Sequence, residues 1–296
     1  MEGGEAERQA ILAWRKGVLL TRQKEYKRAV VVLEQAEAGL PAGGSKLAEL
    51  LGEAMDEVAG ELMWPEGQRF ASYSAEAERL LLKVVRWLPE KQGAWYRLGA
   101  VLDDAKRHEE AISAYQQSIA LDPKWAYPIA LAPNYAYPHS NLGNVYGALG
   151  RHEEAISAYQ QAIALDSHYA VPHHNLGIVY RDLGRHEEAI AAFQQAITLD
   201  SQIGGTYATL AGLYRQLGQE VEYQKHIEIA RGLIAKENEY NRACFEAIAG
   251  NHEEALTLLA RAIAKAPGNR LWAQQDPDFA SLRQDPRFQA LVHGSS

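Results

Sequence analysis

The block Arg-His-Glu-Glu-Ala-Ile occurs three times, beginning at Arg107, Arg151 and Arg185, and each copy leads into a matching amphipathic run. The last two copies lie 34 residues apart, and the residues ahead of them repeat as well: Asn141-Leu142-Gly143 with Tyr146, then Asn175-Leu176-Gly177 with Tyr180. A fixed period of this length constrains the chain to units that stack on their neighbours, because a unit so short cannot bury its apolar face alone. One compact enzyme core is disfavoured for the same reason. Length therefore says little about domain number, since an array grows by adding units.

Within 136–169 the apolar residues fall at Leu142, Val145, Tyr146 and Leu149, then at Ala155, Ile156, Tyr159, Ala162 and Ile163, both at helical spacing. Gly150 between them supplies a left-handed stop, and Glu153-Glu154 suits the positive end of the second helix. Each unit is thus a helical hairpin.

The residues Trp95, Leu98, Gly99, Ala111, Tyr115 and Pro123 resemble the tetratricopeptide repeat signature, in which small residues let two helices approach and bulky ones fill the gaps. The pattern returns from Ala136 and from Ala170, more weakly from Gly204, where Tyr223 replaces a small residue, and again from Lys236. Upstream, Gly17, Leu20, Ala29, Leu33, Ala36 and Pro41 match a divergent first repeat; the stretch 45–91 resembles a second with an overlong connection at Trp64-Pro65-Glu66-Gly67. Asp276-Pro277 and Asp285-Pro286 each pair an N-cap with a proline at the first helical position. They predict two short helices whose Phe279, Leu282, Phe288 and Leu291 cap the last hairpin. The resemblance implies an all-α, right-handed α-solenoid of about seven hairpins. Residues 1–91 form the divergent N-terminal part with a long loop near 63–73, 92–269 the array with an insertion at 126–135, and 270–296 the capping helices and tail.

In that family the first helix of each hairpin lines a concave groove. The resemblance places Tyr96, Arg97, Tyr137, Asn141, Asn144, His174, Asn175, Ile178, Arg181 and Arg215 on it, together with Asp103, Ser140, Thr209 and Gly212. Asn141 and Asn175 hold the same position in successive hairpins and resemble the asparagine ladder of O-linked N-acetylglucosamine transferase, whose amides can meet a peptide backbone. The carboxylate clamp of cochaperones does not match, because Ser140, Gly205 and Thr209 stand where its cations belong. The tandem copy LDPKWAYPIA–LAPNYAYPHS spaces four prolines five residues apart and suggests an inserted strap presenting Trp125, Tyr127 and Tyr135 to a partner.

The formal net charge of -8 offers no basic footprint for nucleic acid or anionic membrane. The acidic N-terminus has no long apolar stretch, so neither a signal peptide nor a membrane span is expected, and a cytoplasmic location is the default. The single cysteine, Cys244, reads as a small buried hydrophobe. His108, His152, His186 and His252 recur with the hairpins, too far apart for the ~2 Å bonds of a shared zinc. Gly43-Gly44-Ser45-Lys46 has the wrong order for a phosphate loop, and Asp103-Asp104 reads as solvated surface rather than an acid–base pair. The expectation is a noncatalytic adaptor without metal or cofactor that binds a partner protein or peptide, with homo-oligomerisation left open. The alternatives are a peptide- or metabolite-responsive regulatory subunit, or an enzyme with its site in the divergent N-terminal region.

Overall fold

The computed structural model describes residues 2–40, 46–63, 75–121, 136–235 and 237–293, and every regular element within them is helical. In chain order these are α1 (Glu2–Arg22), α2 (Tyr26–Ala38), α3 (Lys46–Met63), α4 (Ala75–Trp87), α5 (Gln92–Asp104), α6 (His108–Leu121), α7 (Tyr137–Ala148) and α8 (His152–Leu165). They continue with α9 (Ala170–Asp182), α10 (His186–Leu199), α11 (Gly204–Gln216), α12 (Glu220–Ile234), α13 (Glu239–Ala249), α14 (His252–Lys265), α15 (Asn269–Gln275), a 3-10 helix (Pro277–Leu282) and α16 (Pro286–His293). The Gly43-Gly44-Ser45 stretch, most of the loop near 63–73, and the strap residues Trp125, Tyr127 and Tyr135 lie outside the described residues. The chain divides into two compact units, Met1–Glu154 and Ala155–Ser296.

The described turns inside the hairpins follow one rule. Gly150, Gly184, Gly218 and Gly250 all have positive φ, as a left-handed stop requires. The amide after each one donates back across the turn, Arg185 N to Tyr180 O at 2.8 Å and Asn251 N to Glu246 O at 2.8 Å among them. In α1–α2 and α5–α6 the same place is held by Lys24 and Lys106, at φ 60° and 61°. A lysine carries a Cβ penalty there that glycine avoids.

After the turn, the repeated arginine works locally. Arg107 donates to both carboxylate oxygens of Glu110, at 2.7 and 2.6 Å, and Arg151 and Arg185 do the same to Glu154 and Glu188. These bonds hold the three glutamates below the usual carboxylate range. Each carboxylate also sits in the first turn of its helix, where the backbone dipole favours negative charge. The Arg151 and Arg185 guanidinium groups cover the Tyr146 and Tyr180 rings at 4.6 and 4.4 Å. The block is therefore a hairpin clamp.

In the first unit α1 packs on α2, α3 on α4 and α5 on α6, while α2–α3, α4–α5 and α6–α7 contacts join successive hairpins. The helices approach through glycine: a Cβ on Gly99 would come within 2.7 Å of the fully buried Tyr115 ring. Gln92 and Ser118 tie the open end of α5–α6, Gln92 Nε2 donating to Ser118 O at 3.0 Å and Ser118 Oγ to Gln92 O at 3.2 Å.

The second unit pairs α9 with α10, α11 with α12 and α13 with α14. Gly177 lies as close to Phe193 as Gly99 does to Tyr115. The C-terminal segment closes the last hairpin, burying Phe279, Leu282, Phe288 and Val292 against Ala243, Leu259 and Ile263. Asp276 and Asp285 accept from the amides two residues on, at 3.0 and 2.8 Å, as N-caps. The first of these starts a 3-10 rather than an α-helix, and α15 precedes both. No helix among the described residues is long and apolar enough to cross a membrane.

Candidate binding surface

In the first unit, Tyr96 on α5 lies beside the buried Tyr115 ring at a centroid distance of 5.9 Å, and Asn141 Nδ2 on α7 donates to its hydroxyl at 3.2 Å. Asn141 is buried, Tyr137 is partly exposed and Asn144 is exposed. Arg97 bonds to the buried carboxylate of Asp56 on α3, which Lys91 also approaches at 3.4 Å. Lys91 reaches Glu53 as well. Arg97 is thus brought together with two residues, Asp56 and Lys91, that the repeat pattern did not single out.

A cleft of about 330 Å³ opens beside this network, lined by Trp14 and Val18 from α1, Leu50, Glu53, Ala54, Asp56 and Glu57 from α3, and Arg97. The Trp14 indole N–H donates to Leu50 O at 3.1 Å.

In the second unit, His174, Asn175, Ile178 and Arg181 of α9 are all partly exposed, and Arg215 of α11 is exposed, its guanidinium 5.4 Å from the Tyr223 ring. The imidazole of His174 lies 5.6 Å from the Phe193 ring, and its Nδ1 is 3.0 Å from the Thr206 hydroxyl. Burial, reinforced by the Arg181 charge, pushes its pKa down to about 4, so the ring is neutral at pH 7.

At the end of this unit Asp276 is a hydrogen-bond hub. Its Oδ2 accepts from the Tyr240 hydroxyl at 3.0 Å and from the Cys244 thiol at 3.5 Å, while Oδ1 caps the 3-10 helix. Cys244, Asp276 and Asp278 could each offer an atom within 4.8 Å of the others. Burial, then the neighbouring carboxylates, pushes the Cys244 thiol up. Asp278 is pushed up to about 7, first by burial and then by Asp276. Asp276 thus serves this cluster as a cap and as the acceptor of two hydrogen bonds.

Paired helices joined by left-handed turns and brought close through glycine define an α-helical hairpin repeat protein, with partly exposed polar residues along the first helix of successive hairpins. Two family models, both described as tetratricopeptide repeat, match residues 90–168 and 140–202. Residues 90–202 thus carry tetratricopeptide repeats. Among solved structures, MamA residues 41 to the end from Desulfovibrio magneticus RS-1 is 16% identical, covering 63% of this chain and 97% of that one with a TM-score of 0.52, a likeness of fold. A crystal structure of MamA is 26% identical over 56% of this chain and 91% of its own, with a TM-score of 0.48. YrrB, described as a TPR protein with an unusual peptide-binding site, is 20% identical over 66% of this chain and 94% of its own, with a TM-score of 0.44. No curated protein matches the sequence at a significant level.

Proposed function

We propose that the chain is a protein-interaction scaffold that holds a segment of a partner polypeptide along the first helices of its hairpins, without catalysing a reaction. The tetratricopeptide repeats over residues 90–202, a kind of repeat that serves protein interaction, support the scaffold role. The observation that carries the site is the α9 face: Asn175, Ile178 and Arg181 follow at three-residue steps, all partly exposed, setting amide, apolar and cationic groups in one stripe. Such a stripe suits an extended peptide, whose backbone needs the amide and whose side chains need the other two.

A photo-crosslinking residue at position 178 tests this. It is expected to trap a partner polypeptide in cells, and Asn175→Ala with Arg181→Ala should reduce that product at least tenfold while the helical circular dichroism is unchanged. Equal crosslinking in the double variant, or products containing only this chain, would remove the reading.

A further inference from the structure

Glutamates stand at 49, 53, 57 and 61 along α3, four residues apart, so they share one helix face. Like charges at this spacing destabilise a helix. Three of the four are answered: Lys46 pairs with Glu49 at 3.0 Å, Lys91 pairs with Glu53, and the Tyr26 hydroxyl donates to Glu61 at 2.9 Å. Glu57 has no such partner among the described residues, and it is exposed at the rim of the cleft between α1, α3 and α5.

The cleft wall carries three carboxylates, Glu53, Asp56 and Glu57; Arg97 and Lys91 answer Asp56 and Glu53, so Glu57 holds the negative charge left over. Its apolar lining, Trp14, Val18, Leu50 and Ala54, can cover an aliphatic stem. The hydrogen bond from Trp14 to Leu50 O fixes the indole before anything binds. A side chain with an apolar stem and a cationic head matches both parts. Arginine fits better than lysine, because its planar head pairs with a carboxylate through two parallel bonds and also stacks on an indole.

We infer that this cleft is a pocket for an arginine side chain of the partner segment, with Glu57 as the counter-charge and Trp14 as the wall. The inference rests on the peptide-scaffold reading and adds a chemical class of partner to it.

The test uses the full chain and N-acetyl-arginine amide, following the Trp14 indole ¹H–¹⁵N signal, assigned with Trp14→Phe. A saturable shift is expected, absent with N-acetyl-glutamine amide. Glu57→Lys should weaken the affinity by about tenfold or more. Glu49→Lys, on the same helix but outside the lining, should leave it unchanged. No saturable shift, or one that Glu57→Lys leaves intact, would overturn the pocket. Crosslinking at position 178 reports on the other unit: if it persists with its own variant sensitivity while arginine fails to bind, the scaffold reading stands and the pocket alone falls.

Discussion

Tyr96 and His174 occupy the same position of two hairpins, the fifth residue of α5 and of α9, and each lies beside the buried ring of its partner helix, Tyr115 or Phe193. Their polar tips diverge. The Tyr96 hydroxyl takes a hydrogen bond from Asn141, and the next residue, Arg97, joins a network of full charges, whereas the His174 imidazole meets a hydroxyl and stays neutral. These two hairpins share the ring-on-ring contact, which Ser140 of α7 and Ala208 of α11 at the same position cannot make, while their polar tips differ. One scaffold presents two chemistries.

Breaking the charged network should have the largest effect. Arg97→Met leaves the buried Asp56 carboxylate with Lys91 as its remaining cation, and the expected loss is about 3–5 kcal/mol, read by urea unfolding. Asp56→Asn in the same background should recover much of it, because the uncompensated charge is gone. Loss of well under 1 kcal/mol would show that Arg97 is solvated rather than held.

The neutral counterpart predicts a pH effect of intermediate size. His174 titrates near 6.5 when unfolded and at about 4 when folded, so the unfolded chain binds the proton more tightly. Its contribution is complete above pH 6.5 and lost as pH falls toward 4, on the order of 3 kcal/mol at the acid end. His174→Gln should flatten that slope, measured by unfolding at a series of pH values. An unchanged slope would place the acid sensitivity elsewhere.

The smallest effect concerns the turns. Lys24→Gly and Lys106→Gly relieve a left-handed φ at positions where four other hairpins have glycine, and each should stabilise by roughly 0.5–1 kcal/mol in thermal unfolding. Gly184→Lys should do the reverse.

The hairpins, the glycine stops and the aspartate N-caps before Pro277 and Pro286 were readable because their causes are local. A φ preference or a 3.6-residue period acts within a few positions. The position of each first-helix residue followed from the repeat, but its partners did not. Asn141, expected to offer its amide to a peptide, gives it to a tyrosine 45 residues earlier, and Arg97 meets an aspartate 41 residues earlier. Neither Thr206 beside His174 nor the Asp276 hub carried any periodic mark.

The sequence by itself determined a helical repeat: where helices start and stop, which faces are apolar, and that small residues let paired helices approach. Only the tertiary structure decided which polar side chains are spent within the molecule, as those of Asn141 and Arg97 are. Stacking brings residues tens of positions apart to hydrogen-bonding distance, and whether two such groups satisfy each other depends on that placement rather than on the spacing of either one.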